Sequence, residues 1–366
     1  MHKTVVNILV SNEAAGTELF KGIWSPFFYH NDILINLKVK TNFLNKVSSQ
    51  IFKCNVLILS SRYFKQSKNT IDKEGINFLK EAKEKKVKIV WFDLRDSAGT
   101  TQFEVLPYVD LYLKKQLYND IELYKNRFYG GRIYCDYYHK NFKVRDDDNY
   151  KLITLNDVYK KKILLAWNIG VRFFDLKPKN KYLEFLNFHF RSSFRKRKLL
   201  VIKHNKNRKN NLICTFAKNI ERNTVRFQRE YFEQYLKKNF KLENSILFQK
   251  LPLKKYYKQL KLSKITLSLF GWGEICYREF ESVINGCPFM MPNMSHIKTY
   301  PNIYKNNETY IPINWDFSDF YEKYLLLLNN YKLRKKLVIN AQNEIKNVRK
   351  TKGSNYFKTI FEKIIE

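Results

Sequence analysis

The chain has 366 residues, of which 44% are hydrophobic and 16% aromatic. It is long enough for two domains with packed cores, and this composition excludes wholesale disorder. The formal net charge is +34, and so basic a surface attracts nucleic acid, anionic lipid headgroups or phosphorylated substrates. The many Lys, Asn, Ile, Tyr and Phe residues are also typical of coding drift in an AT-rich genome, so both explanations of the charge stay open.

The cysteines and the apolar runs bear on the compartment. The five cysteines are widely spaced and include no C-x-x-C pair, which favours a reducing compartment over a disulfide framework or a zinc site. No charged-then-apolar leader opens the sequence, and no apolar run approaches the roughly 20 residues that span a bilayer. We therefore expect a cytoplasmic protein that basic, aromatic stretches can hold peripherally on an anionic membrane surface.

Strand and helix patterns alternate through the first part of the chain. This alternation predicts a parallel, Rossmann-like sheet, which binds ligands outside the carboxyl ends of its strands. The pattern predicts strands at Val5–Val10, Asp32–Val39, Asn55–Leu59, Val87–Phe92 and Tyr108–Lys114, and helices near Glu18–Ile23 and over Ile71–Lys85.

Two predicted loops, Ser11–Gly16 and Asp93–Thr101, lie at carboxyl ends of strands. A carboxylate at a strand end that faces a cleft can act as a general base. Asp96 is the preferred candidate, followed by Asp93 and Glu13. The alternative is an ordinary turn or N-cap role, which Asp commonly has after a strand.

Two charged stretches in the middle of the chain are assigned no ligand. The run Arg145–Asp148 looks like a D-x-D metal motif, but its polar surroundings predict a solvated turn, so we expect no metal. Residues 190–210 are intensely basic and predict a domain linker. The alternative is a nucleic-acid- or lipid-binding arm, although no helix-turn-helix, zinc-finger or RNP-like pattern accompanies it.

A second alternation begins at Asn211–Ala217, an apolar run that predicts the first strand of a second domain. The loop after it should face the cleft, so Lys218, Asn219 and Arg222 are candidates for contacting phosphates. A strand and edge loop at Ile246–Leu251 and a helix over Leu253–Leu262 follow.

The stretch Ser263–Tyr300 predicts a strand, a glycine turn with Gly271 and Gly273, a helix over Ile275–Asn285 that Gly286 caps, and another strand. The glycines allow backbone to approach a ligand, and the helix N-terminus favours an anion. Within that helix, Arg278 and Glu281 are spaced i,i+3 on one face. A guanidinium for a diphosphate and a carboxylate for a hydroxyl pair suit a nucleotide-sugar site. The alternative is a solvated surface ion pair.

These residues resemble a family. Arg278-Glu279-Phe280-Glu281 followed by Ile284-Asn285-Gly286-Cys287-Pro288 is similar to the donor-binding segment of GT-B glycosyltransferases, especially exostosin-like and family-1-like ones, with their R-x-x-E-x4-G-x-P pattern. Tyr321–Lys346 is similar to the paired C-terminal helices of that family, and the resemblance covers about residues 245–346.

The resemblance implies that Arg278 contacts the donor diphosphate and Glu281 the nucleotide ribose. It also implies that Gln249 and Leu251 lie beside the nucleobase. The remaining expected donor contacts come from the turn and the start of the helix, namely Gly271, Gly273, Glu274 and Tyr277.

One position departs from the family pattern. Many retaining members carry a glutamate eight residues before the second one, and here that position is Gly273, with Glu274 one residue out of register. We therefore expect an inverting mechanism.

The resemblance implies an α/β protein of GT-B type, with two Rossmann-like domains facing across a cleft. The expected parts are an acceptor-side domain over 1–205, a nucleotide-sugar domain over 206–345, and a C-terminal helix over 346–366 that packs back on the first domain. The expected activity moves a sugar from a nucleotide-sugar donor to a glycan or glycolipid acceptor, with no metal or other cofactor and no nucleic-acid partner. The alternative is a non-catalytic basic protein that binds nucleic acid or anionic membrane on such a scaffold.

Overall fold

A six-stranded parallel sheet organises the first half of the computed structural model, which describes residues 3–10, 22–67, 70–147, 152–172, 199–216 and 220–366. Its strand order is β2-β1-β3-β6-β7-β9. The strands are β1 Thr4–Leu9, β2 Val39–Leu44, β3 Val56–Ser60, β6 Lys88–Asp93, β7 Leu111–Lys114 and β9 Ile163–Leu165, and a small hairpin joins β4 Gln66–Ser67 to β5 Thr70–Ile71. The α-helices are α1 Pro26–Tyr29, α2 Asn31–Asn36, α3 Lys73–Glu84 and α4 Ile133–Phe142.

A five-stranded parallel sheet organises the second half, with the order β11-β10-β12-β13-β15. Its strands are β10 Asn210–Cys214, β11 Ile246–Leu247, β12 Ser263–Leu267, β13 Phe289–Pro292 and β15 Ile311–Ile313. The helices are α5 Asn223–Asn239, α6 Leu253–Leu262, α7 Tyr277–Ile284, α8 Phe320–Asn329, α9 Tyr331–Asn347 and α10 Thr351–Ile365.

Both sheets are doubly wound, and each reverses its direction of growth beside its first strand. The reversal lies between β1 and β3 in the first sheet and between β10 and β12 in the second. Crevices that bind ligands form at such switch points, outside the carboxyl ends of the strands. The second crevice therefore opens at the glycine turn, directly after β12.

The C-terminal helix returns to the first sheet, as predicted. The apolar face of α10 carries Phe357, Ile360, Phe361 and Ile364, each at most 3% exposed. These side chains share one core cluster with residues of β1, β3 and β6. The predicted fold class is therefore confirmed by two parallel α/β sheets and a helix that crosses back to the first of them.

The two halves are joined by backbone pairing as well as by packing. Strand β8 (Gln116–Tyr118) pairs antiparallel with β14 (Ile297–Thr299), which lies in the second half of the chain. Asn168 adds contacts across the same boundary, since its Nδ2 donates to Thr299 Oγ1 (2.7 Å) and to the carbonyl of Pro301 (2.9 Å). Because Asn168 is fully buried, these hydrogen bonds fix the edge along which the sheets meet.

Two local predictions were wrong. Asp32–Val39 is not a strand, because helix α2 covers most of it and ends near Lys38, whose φ is +56°. Ile33 and Leu34 of this helix are buried in the same core cluster as Phe27. Tertiary packing therefore overrides their β propensity.

The Arg145–Asp148 run is not simply a solvated turn. The Asp146 side chain is 2% exposed and accepts hydrogen bonds from Thr224 N (2.8 Å) and Oγ1, so a first-half carboxylate caps helix α5. Asp148 and residues 190–198 of the predicted linker lie outside the described residues. The change of sheet falls between Leu165 and Asn210, and the predicted domain boundaries stay predictions.

The packing of α10 can be measured with a matched pair of substitutions. Ile360 on α10 is 3% exposed, whereas Ile339 on α9 is 45% exposed. Ile360→Ala should lower the free energy of unfolding by about 2–5 kcal/mol, since it leaves a cavity in the first-sheet core. Ile339→Ala should change it by roughly 0.5 kcal/mol or less. Urea denaturation of both variants checks this, and equal effects would contradict the docking of α10.

Candidate functional site

The start of helix α7 is built around a buried carboxylate. Glu279 is fully buried and accepts hydrogen bonds from the backbone N–H of Cys276 (2.6 Å) and from the hydroxyl of Ser268. Burial raises the pKa of Glu279, against the opposing effects of Arg278 and these hydrogen bonds. The carboxylate thus ties the first turn of α7 to the end of β12.

Arg278 and Glu281 do not form the surface ion pair that was the alternative. In the structure as described, the Arg278 Nη1 donates to Ser268 Oγ (2.9 Å) and Glu281 accepts from the Tyr257 hydroxyl (2.8 Å). Burial acts to lower the pKa of Arg278, but Cys276 and Glu279 raise it overall, so the guanidinium stays charged. Burial also raises the pKa of Glu281. Both side chains are half-buried at the switch point.

A second guanidinium, which the sequence analysis missed, lies in the same crevice. Arg229 of helix α5 is 6% exposed, and its Nε donates to the carbonyl of Phe270 (3.2 Å). Its guanidinium carbon lies 5.2 Å from the centre of the Phe216 ring. Burial, followed by the charge of Arg278, lowers the pKa of Arg229 to about 10. The charge of Arg278 thus acts on Arg229, and two cations that influence each other in this way suit an anion beside them.

Asp93, one of the candidate bases, is an internal anchor. It is fully buried, and its carboxylate accepts from Lys114 Nζ (2.8 Å), the Tyr112 hydroxyl (2.5 Å) and the backbone N–H of Arg95 (2.8 Å). Burial opposes ionisation, but Lys114 and Arg95 lower the pKa of Asp93 overall. This geometry favours support of the loop over contact with a substrate.

Asp96, the preferred candidate, faces solvent. Its side chain is 48% exposed and pairs with Arg62 Nη2 (3.0 Å) and Lys115 Nζ (3.4 Å). Burial acts to raise the pKa of Asp96, but Lys115 and Arg62 lower it overall. The carboxylate is therefore ionised at neutral pH and accessible at the carboxyl edge of the first sheet.

The loop that carries Asp96 touches the glycine turn. A Cβ atom on Gly273 would lie 1.7 Å from the carbonyl oxygen of Asp96, so any other residue would have to force the loops apart. The adjacent Glu274 is 1% exposed and accepts from Ser97 Oγ (2.8 Å) and Ala98 N (3.1 Å). The candidate base and the candidate donor site therefore meet at one contact.

The other predicted donor residues are placed unequally. Arg222 is 8% exposed and turned to the first half of the chain, where its Nη1 donates to the carbonyl of Gly130 (3.3 Å) and lies 3.7 Å from Asp146. Gly271 is beside Arg229, since a Cβ there would lie 3.1 Å from Arg229 Nη2.

Tyr277 begins helix α7 at the mouth of the crevice. It is 40% exposed, and the Arg172 guanidinium carbon lies 4.9 Å from the centre of its ring. Gln249 is exposed and Leu251 half-buried in the loop between β11 and α6, at the same edge of the sheet as the glycine turn. The predicted residues outside the described part of the chain are Glu13, Lys218 and Asn219.

Two further findings concern the ranges that the structure describes. There, His, Cys, Asp and Glu side chains form no cluster of three or more that could hold a metal ion. No helix in these ranges is long and apolar enough to cross a bilayer.

No protein-family model and no curated protein matches the sequence. Solved structures do match over almost the whole of both chains. An alpha-glucosyltransferase in complex with UDP-glucose and DNA has a TM-score of 0.47, with 10% identity over 100% of this chain and 99% of the other. A glycosyltransferase from Rickettsia africae has a TM-score of 0.48, with 10% identity and 100% coverage of both chains.

A UDP-N-acetylglucosamine 2-epimerase from Listeria monocytogenes is also similar, at a TM-score of 0.43, with 9% identity over 99% of this chain and 98% of the other. These likenesses are distant, and the fold assignment rests on the strand orders and on the returning helix. With two doubly wound parallel sheets and a C-terminal helix on the first of them, the chain has the GT-B architecture.

Proposed function

We propose that this protein is a glycosyltransferase that moves a sugar from a nucleotide-sugar donor to a glycan or lipid-linked acceptor. The observation that carries the proposal is the convergence of Arg278 and Arg229 at the β10/β12 switch point, beside the N-terminal turn of α7. Two guanidinium groups and a helix N-terminus provide the charge and the donors that a diphosphate needs.

In this proposal the two arginines stabilise the negative charge that develops on the leaving nucleoside diphosphate. Their positions are fixed before substrate binds, because Ser268 holds Arg278 and the Phe270 carbonyl holds Arg229. Electrostatic stabilisation of this kind needs no reorganisation during the reaction. The carboxylate of Glu281, held by Tyr257, would accept hydrogen bonds from the ribose hydroxyls.

Asp96 is the proposed general base that accepts the proton of the acceptor hydroxyl. Asp93 is buried and engaged, whereas Asp96 is accessible and at the edge that faces the glycine turn. Arg62 and Lys115 keep Asp96 ionised, which supports the role at neutral pH but limits the strength of the base.

An inverting mechanism is favoured by the surroundings of Gly273. A carboxylate in its place would overlap the Asp96 backbone. Glu274 cannot easily substitute for it, because its oxygens are buried and hydrogen-bonded to Ser97 and Ala98. An inverting transfer is a single displacement assisted by one general base. It therefore needs no carboxylate at position 273 or 274 to contact the donor sugar.

The first prediction concerns donor binding. A thermal-shift panel of UDP, GDP, CMP and ADP and their sugars should show one nucleotide that raises Tm by several degrees, on the order expected for ligand at about 100 times Kd. Arg278→Ala should abolish this shift, since it removes a charged contact to the diphosphate. Arg127→Ala, at an exposed position, is the matched control and should retain it.

Salt separates this proposal from non-catalytic binding of a polyanion. If no nucleotide stabilises the protein at low salt, and nucleic acid or anionic vesicles bind with a steep salt dependence, the transferase assignment is wrong.

Arg278→Lys, which keeps the charge but loses the planar fork, should restore only part of the nucleotide shift. Comparing the Tm of each unliganded variant with that of the parent shows whether folding is intact.

The second prediction concerns the base. Asp96→Asn should lower kcat by about 10²- to 10⁴-fold with little change in nucleotide affinity. Because the pKa of Asp96 is lowered, the acid limb of kcat/KM should fall below the ordinary Asp range near pH 4. Asp157→Asn, at an exposed ion pair, is the control. An acid limb above pH 5 would point to another base.

The third prediction concerns stereochemistry. The product should have the anomeric configuration opposite to that of the donor, because the structure leaves no room for a carboxylate at Gly273. Proton NMR of the product, recorded before mutarotation where the anomeric carbon is free, reads the configuration directly. Retention would show that Glu274 or another group acts on the donor sugar.

A further inference from the structure

In the glycine turn the backbone is fixed by hydrogen bonds, but the side chain of Trp272 stays exposed. The Tyr134 hydroxyl donates to the carbonyl of Gly271 (2.8 Å), and Arg132 Nε donates to the carbonyl of Trp272 (2.9 Å). On the other side, Gly273 lies against the Asp96 backbone. All of these partners belong to the first half of the chain, yet the Trp272 side chain is left 44% exposed.

This exposure distinguishes Trp272 from the other tryptophans. Trp24, Trp91 and Trp167 are each at most 1% exposed, and Trp315 is partly buried against the core. A large apolar ring in water forgoes the free energy of burial. Because its backbone is already fixed, the ring would lose little further freedom when a ligand covers it.

The surroundings of the ring indicate which substrate would cover it. The guanidinium carbon of Arg132 lies 5.9 Å from the centre of the indole. The exposed Asp96 carboxylate belongs to the loop whose backbone contacts Gly273, the residue after Trp272. Both neighbours come from the first half of the chain. Arg278 and Glu281, by contrast, are held by Ser268 and Tyr257 of the second half.

We propose that Trp272 is the stacking platform for the acceptor sugar. One face of a pyranose ring carries C–H groups that pack against an aromatic ring, while the hydroxyl groups point outward to polar partners. A sugar stacked on Trp272 would present one hydroxyl to Asp96, which takes its proton, and the oxygen of that same hydroxyl would attack the anomeric carbon of the donor as the bond to the nucleoside diphosphate breaks. The platform selects for a carbohydrate ring at the acceptor end, and this inference rests on the proposed transferase function.

Binding can be tested without knowing the reaction. Because the other tryptophans are buried or partly buried, acrylamide quenching of the protein fluorescence reports chiefly on Trp272. A panel of methyl glycosides (glucoside, galactoside, mannoside and N-acetylglucosaminide) at millimolar concentration should include at least one that protects the fluorescence from acrylamide. Trp272→Phe should remove the protectable signal. If none of these glycosides protects it, the proposal is overturned.

Kinetics with that glycoside as acceptor then separate stacking from a structural role. Trp272→Ala should raise the acceptor KM by about tenfold, as expected for loss of one stacking contact, and should leave the nucleotide thermal shift unchanged. Trp272→Phe should recover most of the acceptor KM. Tyr321→Ala, at a 37% exposed aromatic on α8, is the matched control and should have no effect.

The remaining outcomes are distinct. If Trp272→Ala weakens nucleotide-sugar binding but leaves the acceptor KM unchanged, the ring serves the donor and the proposal is overturned. If no nucleotide stabilises the parent protein but a glycoside still protects Trp272, the sugar platform stands and the transferase function fails. Equal acceptor KM values for the parent and Trp272→Ala would also overturn the proposal that Trp272 is the stacking platform for the acceptor sugar.

Discussion

The contact between Gly273 and the Asp96 backbone sets the geometry on which the rest of the site depends. It brings the carboxyl edge of one parallel sheet against that of the other with no side chain between them. Glu274 reinforces the contact through Ser97 and Ala98. Because a glycine is required for this approach, the same residue that joins the two sheets also leaves no carboxylate at this position of the crevice.

The β8–β14 ladder gives this contact a rigid setting. Backbone hydrogen bonds between Gln116–Tyr118 and Ile297–Thr299 cross from one half of the chain to the other, and buried Asn168 extends them. Opening the crevice widely would break several buried hydrogen bonds at once, and each contributes about 0.5–1.5 kcal/mol of net stability. The arrangement therefore favours a preformed crevice over large domain motions.

The sequence predicted most of the local structure around the site, because helix α7 has a strong periodic pattern and clear end signals. The i,i+3 spacing of Arg278 and Glu281, the capping Gly286 with its φ of +72° and the returning helix α10 all depend on local periodicity or composition.

The features that the sequence did not predict depend on contacts between residues that are far apart in the chain. Arg229 lies in the middle of an amphipathic helix, where a basic residue is ordinarily solvated, and only the fold turns it into the crevice. The burial of Asp146 and the cross-sheet ladder likewise depend on which segments meet in space.

The positions of Arg229, which is buried, and Arg278, which is half-buried, separate the charge of the site from the charge of the surface. The formal net charge of the chain is +34, and on solvated side chains salt screens such charge and drift in composition can account for it. A guanidinium taken out of water beside a second one is different, since desolvation and repulsion both act against it. Burial, followed by the charge of Arg278, accordingly lowers the pKa of Arg229. In the proposed function the donor diphosphate lies beside both groups, whereas solvated surface charges imply no particular ligand. The overall basicity of the chain therefore says little about its ligand, whereas Arg229 and Arg278 at the β10/β12 switch point are the residues that support the proposed diphosphate site.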